Sequence, residues 1–426
     1  MRPLREFRAR LGLIALAAFA LRAVWALAIA PESLTHQGDP RFFHLTANLL
    51  VDGHGYIAPL PFLANGTALA SSEHPPGWSG LLAIFSLAGA DSYIAHELVG
   101  CAVGAGTVVC AALLGRRLGG PRAGLIAAAI AAVYPVYVAL DGSLMSEPPY
   151  ALGVAVCMVL AFGVADVPSL RRAALLGVAI GATVLVRGEA LGLLVVLAVP
   201  AVLAARARRV ARLAIVWAVA LVVMAPWCVR NSTTFDHPML VSSEDGPVIA
   251  GANCGPTYHG RDSGYWHSAC VGLRAERNPA VRSDELRRQG LDYARDHAGR
   301  LPAVEGVRLL RTFGLWQPAR HVYFAEGRAM PGRPVAVACS WAVLALAIAG
   351  AALLRRRRVA LGVLLAPVAL AVVTTLLAFG YSRFRYAADV ALIVLAAYAL
   401  ECAIRARAGG GSPAAAPAAA PPRRAR

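Results

Sequence analysis

Six short stretches hold the ionisable residues that could do chemistry. They are "QGDPR" with Asp39, "SEHPPGW" with Glu73 and His74, and "LMSEPPY" with Glu147. The others are "VRGE" with Arg187 and Glu189, "PWCVRN" with Arg230 and Asn231, and "YSRFRYAAD" with Arg383 and Arg385. Each abuts an apolar run. A carboxylate in such a place can take a proton from a hydroxyl, and guanidinium groups can neutralise a departing phosphate. Gathered in one pocket, these residues would suit transfer of a group from a phosphate-bearing lipid. Each also has a local reading. Asp39 can cap the helix that "DP" opens, and Glu147 can cap or face water. Arg383 and Arg385 can snorkel to headgroups. Tyr56, Tyr381 and Tyr386 read first as interfacial belt residues.

The elements that must position these groups are membrane spans. Of 426 residues, 58% are hydrophobic and 15% charged, with a mean hydropathy of +0.59. The apolar residues fall in blocks of roughly 15–25, the length that ~30 Å of hydrocarbon requires. The expected fold is an all-α polytopic membrane protein. Its candidate spans are 11–30, 93–115, 122–140, 147–165, 173–187, 189–204, 210–228, 334–354, 359–378 and 386–404. The apolar segment 77–89 is too short to span and is expected to be re-entrant or interfacial.

The net charge of +17 does not indicate nucleic acid, because the arginines cluster between spans, as at Arg116–Arg117, Arg171–Arg172 and Arg355–Arg358. With both termini inside, every strongly basic short loop falls on the cytoplasmic side. All six polar stretches then fall on the other side. A P-loop or a strand-borne GxGxxG is missing from the sequence, so no soluble nucleotide donor is indicated. The first span, with "ALAIA" at its end, could also be a signal peptide; Arg22 within it and its length favour an uncleaved anchor.

The expected organisation is an N-terminal transmembrane region, 1–230, with a first outer loop at 31–77. An extracytoplasmic loop region, 231–333, follows, then C-terminal spans, 334–405. A Gly/Ala/Pro-rich cytoplasmic tail, 406–426, is expected to be disordered. Cys254 and Cys270 are the cysteines well inside an outer loop, and an oxidising compartment favours a disulfide between them. "RSDELRRQGLDYARDHAGR" reads as a surface helix capped by Ser283.

In order, "GDPRFFHLTANLLVDGHGY", "EHPPGW", "LMSEPPY", "PWCVRN" and "SRFRYAADVAL" resemble the polyprenyl-phosphate-sugar-dependent glycosyltransferases of the GT-C superfamily. That group includes protein O-mannosyltransferases and the lipid A aminoarabinose transferases of bacteria. The resemblance covers most of residues 1–405. It implies an inverting transfer from a polyprenyl-phosphate sugar to an extracytoplasmic hydroxyl on a cell-envelope glycan, lipid or protein. Asp39 falls where the family has its presumed base, with Glu73 and Glu147 as the accompanying acids. His74, Arg187, Arg383 and Arg385 fall to the donor phosphate, and Tyr56, Arg230 and Asn231 to the acceptor or the loop. Asp39, Glu147 and His74 could hold a divalent metal, which some members bind. The sequence departs from the family in having Asp39 alone where many members have an acidic pair. It also has alanine in "RYAAD" where proline is common. A transporter or flippase of a lipid-linked sugar, or a glycan ligase or polymerase, remains the alternative.

Overall fold

The structure, a computed structural model, describes residues 2–30, 37–204, 206–272, 278–318, 333–357 and 361–409. Among these the regular structure is helical, apart from one isolated antiparallel bridge between Ile57 and Ala70. Residues 410–426, most of the expected tail, lie outside the described part.

Helix α1 (Arg2–Val24) continues through a π-helical turn, Trp25–Ile29. Three short helices follow: α2 (Gly38–Val51), α3 (Pro59–Asn65) and α4 (Gly77–Leu87). Helix α5 (Tyr93–Val133) is a hairpin: Gly120 takes φ 86°, which a side chain would resist, and Pro121 starts the return arm. The arms touch so closely that a Cβ on Gly115 would stand 2.9 Å from both the Ala123 carbonyl oxygen and the Ala127 Cβ. The expected spans 93–115 and 122–140 are these two arms, the second prolonged by α6 (Pro135–Asp141).

Helices α7 (Glu147–Asp166) and α8 (Leu170–Val184) come next. A broken stretch then runs through a 3₁₀ turn, Gly188–Gly192, α9 (Leu193–Val196) and α10 (Ala198–Leu203). After α11 (Arg209–Thr234) the long inter-span segment holds α12 (Asp245–Ala252), α13 (Gly255–Tyr258), α14 (Pro279–Asp296) and α15 (Leu301–Thr312). The chain closes with α16 (Arg333–Arg356), α17 (Gly362–Leu377), a 3₁₀ turn at Ser382–Arg385, and α18 (Asp389–Arg407).

Five stretches among the described residues are long and apolar enough to cross a membrane: Leu4–Ile29, Tyr93–Val133, Glu147–Asp166, Arg209–Thr234 and Pro334–Arg356. The segments expected as spans at 189–204 and 359–378 fall on shorter helices, as does 77–89.

Helices gain little from leaving lipid for each other, so close backbone approach must hold them together. Gly177 and Gly181 on α8 supply it, since a Cβ there would stand 2.6 Å from the Val216 carbonyl oxygen and 2.8 Å from that of Ala220, both on α11. Gly350 does the same for α16 against Leu395 of α18. Helices α2 and α4 build a second, aromatic core against α5, from Phe42, Phe43, Tyr56, Trp78 and Trp227. Within the long segment, α14 begins before its expected start. Asn278 is its cap, accepting the Ala280 N–H, and Ser283 instead sits in the second turn, bonded to Asp245 and to the Gly246 N–H. The Pro at its first position and the Asx cap outcompete the serine. Cys254 and Cys270 are joined by a disulfide.

Candidate active site

Asp39 stands in the first turn of α2, where Gly38 takes φ 57°. The next turn of that helix turns Phe42 and Phe43 inward, and their rings lie 5.0 and 4.8 Å from the His74 ring. His74 Nε2 is 3.4 Å from Asp39 Oδ1. The "EHPPGW" loop is fixed on both sides of this contact. Tyr56 donates its hydroxyl to the His74 carbonyl oxygen at 2.9 Å, Gly77 N–H to Leu185 at 2.6 Å, and Trp78 Nε1 to Leu144 at 2.9 Å.

Glu147 is the first residue of α7, followed by two prolines that the first turn tolerates because its N–H groups lack intrahelical partners. Its side chain is 1% exposed, yet it faces two guanidinium groups. Arg383 Nε lies 2.7 Å from Glu147 Oε1, and Arg187 Nη1 lies 3.3 Å from the same oxygen. Arg383 reaches on to Asp39, with Nη2 3.7 Å from Oδ2. Arg187 also grips Glu189 through both oxygens, at 3.2 and 3.3 Å, and the Ser146 hydroxyl at 3.0 Å. The result is a continuous row of alternating charge: His74, Asp39, Arg383, Glu147, Arg187, Glu189. Glu73 touches its near end, 3.9 Å from His74.

The row borders a cavity of about 740 Å³ lined by Asp39, His74, Arg187 and Arg383. Leu191 and, from α17, Leu370, Val373 and Leu377 give the same cavity an apolar wall. Glu244 and Asp245 line it from the long segment. They arrive there because Ser243 N–H donates to the Ser72 carbonyl oxygen at 2.9 Å and the Ser242 hydroxyl to that of Glu73 at 2.6 Å.

Charge in this pocket is mutually adjusted. Burial works against a cationic His74, but Asp39, Glu73 and Glu244 prevail and hold its pKa at about 9. Burial raises Glu73, with His74 pulling it down and Asp39 up. Burial, with Glu73 adding to it, lifts Glu244 to about 7. At neutral pH the pocket therefore keeps an imidazolium and a carboxyl group close to half-ionised.

Of the residues singled out in the sequence, the fold brings Asp39, Glu73, His74, Glu147, Arg187 and Arg383 together. It does not bring Arg385, which is 4% exposed and paired with Asp389 away from the cavity lining. Arg230 and Asn231 are structural in position. Arg230 donates to the carbonyl oxygens of Ser71 and Tyr56, at 2.6 and 2.8 Å, and lies over the Trp227 ring. Asn231 is fully buried and bonds to Arg230 and the Val241 carbonyl oxygen. The belt reading fails for Tyr56, Tyr381 and Tyr386, all buried and each hydrogen-bonded or ring-packed within the protein. Glu244 and Ser146 carry no signal of their own in the sequence, since long-range contacts alone bring them to the pocket.

A divalent cation does not fit between Asp39 and Glu147. A guanidinium group already bridges them, and no three His, Cys, Asp or Glu side chains converge among the described residues.

The helical membrane fold that carries this pocket has counterparts among known proteins. Residues 73–229 match the family described as dolichyl-phosphate-mannose-protein mannosyltransferase. No curated protein matches the chain. Among solved structures, the apo oligosaccharyltransferase of Archaeoglobus fulgidus is similar with a TM-score of 0.55 at 14% identity, over 94% of this chain and 51% of that one. The same enzyme tethered to an acceptor peptide containing the NVT sequon gives 0.52 at 15% identity, over 94% and 50%. ArnT from Cupriavidus metallidurans bound to undecaprenyl phosphate is a more distant likeness, at 0.42 and 16% identity, over 93% and 78%. This chain thus spans about half the length of the oligosaccharyltransferase it matches. Residues 73–229 thus match that mannosyltransferase family, and the chain shares the fold of the solved oligosaccharyltransferase.

Proposed function

We propose that this protein moves a sugar from a polyprenyl-phosphate donor to an acceptor hydroxyl on the extracytoplasmic side of the plasma membrane, with inversion. The observation that carries the reading is the row Asp39, Arg383, Glu147, Arg187 beside an apolar wall in one cavity. The family described as using dolichyl-phosphate mannose, matched over residues 73–229, supports a lipid-linked donor.

Asp39 accepts the proton of the acceptor hydroxyl, whose oxygen attacks the anomeric carbon. The bond from that carbon to the phosphate oxygen breaks, and its electron pair leaves on the phosphate. Arg383, Arg187 and protonated His74 stabilise that charge, and they are pre-oriented by the acids they already touch. Glu147 serves by holding both guanidinium groups, and Glu73, half-exposed at the mouth, meets the acceptor. The apolar wall on α17 takes the first isoprene units. The disulfide-pinned segment contributes to acceptor recognition through Glu244 and Asp245.

Purified protein given labelled polyprenyl-phosphate sugar and an envelope extract should release polyprenyl phosphate and label an acceptor. Label that crosses a vesicle bilayer while still lipid-bound would indicate a flippase. Transfer only from a preassembled lipid-linked glycan would indicate a ligase.

A further inference from the structure

Arg383 and Arg385 share one 3₁₀ turn but face opposite ways. Arg383 lines the cavity, whereas Arg385 turns back into the helices and donates from Nε to Asp389 Oδ1 at 2.8 Å. The other Asp389 oxygen accepts the Tyr134 hydroxyl at 3.1 Å, and Tyr134 is bonded in turn to Ser340 at 2.8 Å. Tyr386, the next residue along, is tied separately. Its hydroxyl donates to Asp141 Oδ1 at 2.5 Å, while Asp141 Oδ2 accepts from Arg22 Nε at 2.5 Å. Arg22 is fully buried, and its other N–H groups meet the carbonyl oxygens of Ala18, Ala131 and Ala132. Tyr137 adds a bond to the Tyr386 carbonyl oxygen at 3.2 Å.

The fold makes space for this arrangement. A Cβ on Gly104 would stand 2.2 Å from Asp141 Oδ2, and one on Gly100 2.3 Å from the Asp141 carbonyl oxygen. Helices α1, α5, α6, α16 and α18 all supply a group. Buried ion pairs seldom add stability over apolar side chains of similar volume, because the desolvation of both charges offsets their attraction. What they do supply is a fixed geometry. Both pairs converge on Arg385 and Tyr386, one residue beyond the neighbour of Arg383, which bridges Asp39 and Glu147.

We propose that these two buried brackets, Arg385–Asp389–Tyr134 and Arg22–Asp141–Tyr386, are positioning devices that hold Arg383 in register between Asp39 and Glu147. The inference rests on the transferase reading above. Arg385, Asp389, Asp141 and Tyr386 are positioning residues; none touches the substrate.

A double-mutant cycle tests it. Tyr386→Phe removes one hydroxyl and Asp389→Asn one charge; each should lower kcat/KM for the polyprenyl-phosphate sugar about tenfold in the otherwise native protein. In an Arg383→Ala background the same changes should cost less than about twofold, because the group they position is gone. An equal loss in both backgrounds, or no loss in either, overturns the proposal. Should Asp389→Asn fail to fold, Tyr386→Phe decides alone. Should the native protein show no transfer, the transferase reading falls and hydrogen exchange decides the bracket. Amides of residues 380–388 should then exchange at least about threefold faster in Tyr386→Phe, with the melting temperature almost unmoved. Unchanged exchange there overturns it.

Discussion

Helix α7 shows two uses of arginine at its two ends, roughly 30 Å apart by its length. At the Asp166 end the guanidinium groups act one by one on helix termini. Arg172 donates to the Gly163 carbonyl oxygen at 2.8 Å, Arg212 to those of Val164 and Val202, and Arg117 pairs with Asp166 at the surface. These carbonyls lie in the last turns of α7 and α10, where a cation is welcome. At the Glu147 end, by contrast, arginines from the cap of the 3₁₀ turn after α8 and from the turn before α18 share one buried carboxylate. The first arrangement satisfies helix ends. The second brings like charges together beside an open cavity, which costs free energy and persists where a charged ligand is handled. Position within the fold, not residue type, separates the two.

The sharpest break in that contrast is Asp39→Asn. It should lower transfer by about 10²–10⁴-fold with expression and melting temperature intact, measured as polyprenyl phosphate released. Arg383→Ala should cost about 10²–10³-fold, and Arg383→Lys should recover little, because a point charge cannot meet Asp39 and Glu147 together. Breaking the 254–270 disulfide by Cys254→Ser should lower the stability of the long segment by about 3 kcal/mol, seen as faster proteolysis between residues 245 and 300.

A smaller effect follows from pH. The folded pKa of His74, about 9, lies above the ordinary 6.5, and that of Glu244, about 7, above 4.5. Both shifts mean that the folded protein binds protons more tightly, so both contributions to stability are present at low pH and fade as pH rises. Glu244's contribution fades between about 4.5 and 7, and His74's between about 6.5 and 9. Replacing His74 with Gln should flatten the decline in melting temperature between pH 6.5 and 9. At the other end of α7, Arg172→Ala should change transfer by less than about twofold and stability by no more than about 1 kcal/mol; a larger loss of activity would erase the distinction.

Much of this was legible in the residues. Blocks of apolar residues and the placement of arginine implied a helical membrane protein, and proline next to Asp39 implied a helix start. Gly120-Pro121 was read as a loop between spans, which the hairpin of α5 is. What could not be read is direction. Arg383 and Arg385 stand two apart in one turn, and the sequence treats them alike; the turn sends one to the cavity and the other to Asp389. Arg22 read only as a mark of an uncleaved anchor, and its partner Asp141 lies 119 residues away. Glu244 sits in a segment with no periodic pattern, and bonds from Ser243 N–H and the Ser242 hydroxyl to the carbonyl oxygens of Ser72 and Glu73 bring it to the pocket.

The sequence by itself determined which segments must leave water and which groups would have to be accommodated at their ends, because hydrocarbon charges heavily for every unpaired polar atom. Only the tertiary structure decided which acid meets which arginine. That choice depends on glycine-thin helix contacts and on side-chain directions in single turns. Those quantities are set by packing across the whole bundle and leave no trace in any one stretch of residues.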